Sequence, residues 1–313
     1  MAELISQYVQ QVKDLELQGV IELFLNNSPI VGDLHFIDLG GALVYEWKAE
    51  TGLGGVGVRQ LNSDYQAAAK TSGSAAPMRE GTGIVGGAVQ IDVQLSNVRA
   101  TRVAQKMRAA ALQFNRLFFK GTAAAGAFDG LYARCTGTEG LTTAGTGNGG
   151  YLDLDVLSKM IARMPGQASQ KRLFMGYEMQ CLLGQVIRAN KQAIIAPVEW
   201  AGQLTPKTYD GVRIVDVGDD ETRALIMTFN ETVGQTASCG SIVMATLGGA
   251  TDGDMVQGLA DLGGNGGQMF SVKPRPGGTT YDETLIEGRM GIAVHHDRCL
   301  KRYSGLVNAV NPA

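Results

Sequence analysis

Three stretches carry residue types that could do chemistry. Gly52-Leu53-Gly54-Gly55-Val56-Gly57 fits the Gly-x-Gly-x-x-Gly spacing, which lets a backbone turn approach a pyrophosphate when a strand precedes it and a helix opens at the last glycine. A strand pattern does precede it, and Glu80 stands at a tolerable distance for a ribose-binding acid. The next residues, Val58-Arg59-Gln60-Leu61-Asn62-Ser63-Asp64, are a poor helix start, and no second parallel strand comes after them. A hairpin loop is therefore expected, with dinucleotide binding as the alternative. Gly121-Thr122-Ala123-Ala124-Ala125-Gly126 has phosphate-loop spacing, but Ala127-Phe128 stands where Lys-Ser/Thr would hold the phosphates, so that reading fails. His295-His296-Asp297 with Cys299 invites a metal or nucleophile. Adjacent histidines on a strand face opposite ways, and a structural turn is expected instead. His35 is the only other histidine, which leaves few candidates for imidazole acid–base work. No catalytic, cofactor-binding or metal-binding residue is assigned, and no enzyme is expected.

The more informative chemistry is charge. Between Asp92 and Asp129 every ionisable residue is basic: Arg99, Arg102, Lys106, Arg108, Arg116 and Lys120. At ~100° per residue, Arg102, Lys106, Arg116 and Lys120 fall within about 80° on a helix, with Arg99 at the edge of the stripe. Either acids from neighbouring segments neutralise this face, or it meets a polyanion such as double-stranded DNA.

The helix that must carry the stripe runs from about Ser96, expected as N-cap, to Lys120. Val103, Met107, Ala111, Phe114 and Phe118 form its apolar face at steps of three and four. Ahead of it, the apolar positions from Leu4 to Leu25 predict helical turns broken at Gly19 and ended by Asn26-Asn27-Ser28-Pro29. Alternation predicts strands at Leu43–Lys48 and Val89–Leu95. The intervening Ala49–Gly83 is rich in Gly, Ala and Ser and lacks a sustained period, which predicts a long projecting hairpin. Beyond the long helix, a second helix is expected over Leu154–Met164, entered at Asp153 or Asp155 and stopped by Pro165-Gly166. A strand at Arg172–Met175 and a helix over Glu178–Asn190 come next. Strands are then expected at Val212–Val217, Ala224–Phe229, Ser241–Thr246 and Ile286–Val294, and Gly248–Gly278 reads as largely loop. No repeat of fixed period is visible. Helices and strands without regular alternation indicate an α+β fold.

Bulk composition agrees with a chain that hides much of its surface. Of 313 residues, 44% are apolar and 18% charged, with 43 glycines, against about 25% charged and about 7% Gly in ordinary soluble domains. The formal net charge of −3 argues against a general nucleic-acid binder, so any such contact must be local. The start, Met1 to Gln7, has no basic region and no secretory signal is expected. No apolar run approaches the ~20 residues that span a bilayer, and no membrane partner is expected. Cys135, Cys181, Cys239 and Cys299 lie far apart, which fits free thiols in a reducing cytoplasm better than a disulfide frame or zinc site.

The order of these pieces resembles the major capsid proteins of tailed bacteriophages, whose fold is shared with encapsulin shells. Local wording matches at Leu117-Phe118-Phe119-Lys120-Gly121 with Phe128-Asp129-Gly130-Leu131, at Tyr209-Asp210-Gly211-Val212-Arg213-Ile214, at Phe229-Asn230-Glu231, and at Gly291-Ile292-Ala293-Val294-His295-His296. The resemblance spans nearly the whole chain. It implies an N-terminal arm (1–40), an extended β-hairpin loop with its flanking strands (41–95), a peripheral domain opened by a spine helix (96–149), an axial domain (150–270), and a return strand with the C-terminus (271–313). It further implies no cofactor and self-assembly into pentamers and hexamers of an icosahedral head, made in the host cytoplasm and enclosing double-stranded DNA. Portal, scaffolding or decoration proteins are the implied further partners. An encapsulin-like compartment is the alternative within the fold, and a nucleotide-binding enzyme using Gly52–Gly57 is the alternative outside it.

Overall fold

The computed structural model describes residues 2–12, 15–52, 58–64, 74–92, 98–136, 140–145, 147–189, 205–249, 255–262, 269–275 and 281–311. The chain starts with β1 (Ala2–Leu4), α1 (Ile5–Gln11), α2 (Leu15–Asn26) and β2 (His35–Asp38), then β3 (Val44–Gly52), β4 (Ser74–Gly81) and β5 (Gly83–Asp92). The long helix α3 (Arg99–Lys120), the short α4 (Leu131–Arg134) and β6 (Leu141–Thr143) come after these. Next are α5 (Leu154–Arg163), β7 (Lys171–Met175), α6 (Tyr177–Ala189), β8 (Thr208–Tyr209), β9 (Val212–Asp216), β10 (Glu231–Val233) and β11 (Thr236–Thr246). The chain closes with β12 (Val256–Ala260), β13 (Phe270–Arg275), β14 (Tyr281–Val294) and β15 (Leu300–Val307).

These strands build two sheets and a separate ribbon. The first sheet has the order β1-β2-β12-β14-β13, with β5 also on β14; the second has β6-β15-β11-β7-β9-β8, with β10 on β11. Within them β2–β12, β15–β6 and β7–β9 are parallel pairs. Parallel and antiparallel pairs mixed with six α-helices among the described residues make an α+β fold, as expected.

α3 is the member that joins the sheets. Its apolar stripe, Val103, Met107, Ala111, Phe114 and Phe118, is buried. Phe114 contacts Phe24 of α2 and Phe36 of β2 at ring-centroid distances of 6.0 and 6.4 Å. Four residues on, Phe118 and Phe119 meet Phe174 of β7 at 6.0 and 5.4 Å. One continuous core therefore runs from the N-terminal helices through α3 into the second sheet. Each such aromatic, buried from water, contributes about 2–3 kcal/mol. A second core lies where α5 and α6 cover the second sheet, around Leu157, Ile161, Leu182, Leu183, Ile214, Ile242 and Leu306. α5 begins as expected: Asp153 Oδ1 accepts from the backbone N–H of Asp155 (2.8 Å) and Val156 (3.4 Å), filling donors the first turn leaves free.

Several expectations are corrected. α3 starts at Arg99 with Val98 in the N-cap position and no side-chain cap, not at Ser96. Gly19 lies inside α2; the helical break comes earlier, after Gln11. The partner of β3 is not the expected strand at Val89–Leu95 but β4, inside the stretch expected as the projecting hairpin, with Val44 opposite Gly81 and Trp47 opposite Met78. β5 instead pairs along β14 from Met290↔Gly83 to Tyr281↔Asp92. Ala224–Phe229 is a turn region holding one bridge, Asp219↔Leu225, because Asp220 Oδ1 gathers the N–H groups of Thr222 and Ala224 at 2.8 and 2.9 Å. The stretch expected as loop holds β12 and β13. Gly258 resembles a turn glycine in sequence, but a Cβ there would sit 2.5 Å from the Phe36 ring. This glycine admits a neighbouring aromatic rather than making a turn. β15 has no counterpart among the expected strands.

Candidate functional site

The chemistry-bearing motifs resolve into structural roles where they are described. Leu53–Gly57 lies outside the described residues, and Gly52 ends β3. Glu80, the acid weighed for a ribose, is instead held by Arg134, whose Nη2 donates to Glu80 Oε2 at 2.5 Å while Nη1 donates to Oε1. In the Gly121–Gly126 turn, the Ala123 N–H that an anion would need already donates to Asp129 Oδ1 at 2.8 Å. A carboxylate of the chain itself occupies the place of a phosphate.

The histidine turn is equally committed. Gln257 Nε2 donates to Gly249 O at 2.9 Å, which leaves Gln257 Oε1 facing His295 Nε2 at 3.1 Å. The His295 ring lies 4.9 Å from Trp47 and 5.9 Å from Tyr45 of β3. His296 Nδ1 accepts from Arg298 N–H at 3.0 Å, and Cys299 Sγ donates to His296 O at 2.7 Å. One histidine thus packs the ribbon root while the other caps a 3-10 turn. Among the described residues no cluster of His, Cys, Asp and Glu could hold a metal ion. The four cysteines are free thiols.

The basic stripe divides. Toward its N-terminal half, Arg102 and Lys106 border an open groove between α3 and β5 that includes Val89, Ile91 and Val98. Among the described residues no carboxylate pairs with Arg99, Arg102 or Lys106. Toward the C-terminal half the stripe meets acids: Arg116 Nη2 lies 3.2 Å from Glu221 Oε1, and Lys120 lies near Glu231 and Asp220. Burial lowers the Lys120 pKa, Arg302 adds to that, and the two acids oppose it. Acids therefore stand beside the C-terminal half of the stripe, while its N-terminal half borders an open groove.

Sequence reasoning missed a buried ionic cluster beside Lys120. Arg302 on β15 donates through Nη2 to Glu231 Oε2 at 2.7 Å and through Nε to Ser241 Oγ at 3.1 Å. Its guanidinium lies 3.9 Å above the Tyr132 ring, a desolvated cation–π contact. Burial first, then Glu231, raises the Tyr132 phenol pKa. Tyr132, Glu231 and Arg302 come from three distant parts of the sequence, so no local pattern could reveal them.

The ribbon formed by β3 and β4 pairs with nothing but itself among the described strands. Tyr45 and Trp47 turn its root toward Leu39, Leu259 and Ala293. Arg289 Nη1 donates to Ala42 O at 3.1 Å, and its Nη2 lies 3.3 Å from Asp261 Oδ2. Leu43, Val44 and Met78 are exposed. The self-paired ribbon is thus rooted on the first sheet, which the long helix α3 bridges to the second. Among the described residues no helix is long and apolar enough to cross a membrane.

This arrangement is the fold of tailed-phage capsid proteins and encapsulins. No known family profile and no curated protein matches the sequence, but solved shell proteins match the structure. The chain is similar to the SrpI encapsulin of Synechococcus elongatus PCC 7942, at 14% identity and a TM-score of 0.59 over 88% of this chain and 86% of that one. It is similar to the capsid protein of a native GTA particle, at 12% identity and a TM-score of 0.61 over 87% of each chain. It is also similar to the capsid of cyanophage A-1(L), at 13% identity and a TM-score of 0.61 over 89% of this chain and 93% of that one.

Proposed function

We propose that this chain is a shell-building subunit, the major capsid protein of a tailed bacteriophage, and that it is not an enzyme. It assembles into pentamers and hexamers of an icosahedral head enclosing double-stranded DNA, forms in the host cytoplasm and resides in the virion. The carrying observation is the ribbon: eight to nine residues per strand, paired with no other described strand and rooted by side chains at one end. In a lone molecule such a ribbon is marginal; laid on a neighbour it gains the burial it lacks. Many modest contacts of this kind, repeated by symmetry, close a shell.

The division of labour proposed is an N-terminal arm (1–40), extended loop (41–95), peripheral domain (96–149), axial domain (150–270) and return strand (271–313). Arg99, Arg102 and Lys106, which meet no acid in the described part of their own chain, are proposed to face the lumen, where packaged DNA attracts them by a salt-dependent, sequence-independent force. Arg116 and Lys120 serve that role less, being offset by Glu221, Glu231 and Asp220. Portal, scaffolding and decoration proteins are the further partners of this reading.

The likeness to an encapsulin favours a second reading, a protein compartment without a genome. Expression of the full chain with electron microscopy of the product tests both. Closed shells protecting nucleic acid from nuclease support the phage head, closed shells loaded with protein support the compartment, and a persistent monomer contradicts both.

A further inference from the structure

The root of the ribbon meets the body through aromatic rings gathered around one titratable group. His295, half-buried directly after β14, lies 4.9 Å from Trp47 and 5.9 Å from Tyr45, ring centroid to ring centroid. Those two rings stack on each other at 5.3 Å. Tyr45 and Trp47 are alternate residues of β3 and face the same way, so the imidazole is seated against two aromatic side chains of one strand. Trp47 Nε1 is buried and meets no acceptor among the described residues. The indole is therefore held there by its ring and not by a hydrogen bond.

One nitrogen of the imidazole is committed. Gln257 Nε2 is engaged by Gly249 O, so Gln257 Oε1 accepts from His295 Nε2 at 3.1 Å. That hydrogen bond suits the neutral and the charged ring alike, and a second proton goes to Nδ1. What protonation changes is the charge facing Trp47 and Tyr45. A cation within about 6 Å of an aromatic centroid is attracted by the ring, most strongly by indole; a neutral imidazole offers only an aromatic contact.

The groups that face this site among the described residues are Tyr45 and Trp47 from β3 and Gln257 from β12, with Asp297 and Arg298 in the turn that His296 caps. Burial raises the Tyr45 pKa, so its phenol stays neutral through the histidine range. Glu46, on the opposite face of the ribbon, pairs with Arg79 at 2.9 Å, and Glu80, opposite Tyr45, is held by Arg134. The register Gly258↔Phe36 sets His35 on the far side of Gln257. Burial lowers the His35 pKa, which keeps that ring neutral to lower pH.

We propose that His295 is a pH-dependent latch for the ribbon: its protonation turns an aromatic contact into a cation–π grip on Trp47 and Tyr45, holding the ribbon root firmly in mild acid and more loosely near neutrality. The latch is a property of the single chain and does not depend on the shell reading.

The test uses the unassembled full-length chain carrying Trp200→Phe, which leaves Trp47 as the only one of the two tryptophans. Trp47 emission and hydrogen exchange of the β3 and β4 amides, corrected for intrinsic rates, are followed from about pH 8 to about pH 5.5, where histidine changes charge. His295→Gln, His35→Gln and His296→Gln in the same background assign the group, because the chain holds three histidines. Expected are quenching of Trp47 by the imidazolium and about threefold slower exchange of the ribbon root in acid. Both are kept in His35→Gln and His296→Gln and lost in His295→Gln. If His295→Gln does not fold, persistence of both signals in the other two variants assigns them to His295 by elimination, and their loss in either one overturns the proposal. Emission that does not titrate, a titration that survives His295→Gln, or exchange that quickens toward acid overturns it as well. None of these outcomes touches the shell reading.

Discussion

Arg134 on the short helix after α3 grips Glu80 on β4 with both guanidinium nitrogens of its fork, and both side chains are about 15% exposed or less. The pair ties the root of a projecting ribbon to the body of the subunit. It is bidentate and largely withdrawn from water, the geometry in which an ion pair does more than a surface contact.

Replacing Arg134 by Ala is expected to destabilise the unassembled subunit by about 2–3 kcal/mol, because Glu80 is left partly buried without its partner. The double variant Glu80→Gln, Arg134→Ala should cost less than the sum of the singles. Urea denaturation of the four proteins checks this; additive effects would show that the two side chains do not act as a pair.

Neighbouring glycines in β5 should behave oppositely. A Cβ on Gly86 collides with the backbone of β14, reaching 2.8 Å from Glu287 Cα and closer still to Ile286 O, whereas on Gly87 it meets only the movable end of Lys106, with Nζ at 2.7 Å. Gly86→Ala is expected to cost about 3 kcal/mol or more, and Gly87→Ala under about 1. Soluble yield and urea midpoints of the two variants measure the difference, and equal losses would contradict the strand packing.

Alkaline stability depends on the buried cluster near Arg302. Burial pushes the Cys135 thiol from its ordinary 9.0 up to about 12, against a lowering by Arg302. A raised folded-state pKa means the native chain keeps a proton the unfolded chain has lost. Stability is therefore full below pH 9 and falls toward pH 12, at about 1.4 kcal/mol per unit. Tyr132, Tyr209 and Tyr303 are raised by burial as well and act in the same direction at higher pH. Lys120, lowered from 10.5, acts the other way between its lowered value and 10.5. Between pH 9 and 11 the Cys135 contribution is about 3 kcal/mol, so Cys135→Ser should flatten the pH profile of the urea midpoint; an unchanged profile would place the titration elsewhere.

The charge stripe gives a functional prediction. Arg102→Gln with Lys106→Gln should leave shells normal but reduce genome retention as these cations are lost. Nuclease-protected DNA per particle, measured across salt concentrations, reports it. Failed assembly would instead make the groove between α3 and β5 an interface.

How much of this was legible depended on whether the cause was local. The buried face of α3 and the Asp153 cap of α5 arise from spacing within one segment, and both were readable. The register of β3 on β4 was not. Ser74-Ala75-Ala76-Pro77 has no alternation, and its pairing is imposed by a partner strand far back in the chain. Gly258 read as loop because its reason, the Phe36 ring, sits on another strand. The acids beside the stripe, Glu221 and Glu231, lie far beyond it in sequence, so its division into a half beside them and a half without an acidic partner among the described residues had no sequence signal. The order of elements carried the fold where single motifs could not.

Whether this chain builds a closed shell is decided by electron microscopy of the purified full-length protein, with light scattering for mass. Uniform closed particles with fivefold and sixfold capsomers are expected, the ribbon of each subunit lying on a neighbour. A stable monomer or small oligomer under every assembly condition, with the ribbon folded onto its own subunit, would show that the chain is not a shell subunit.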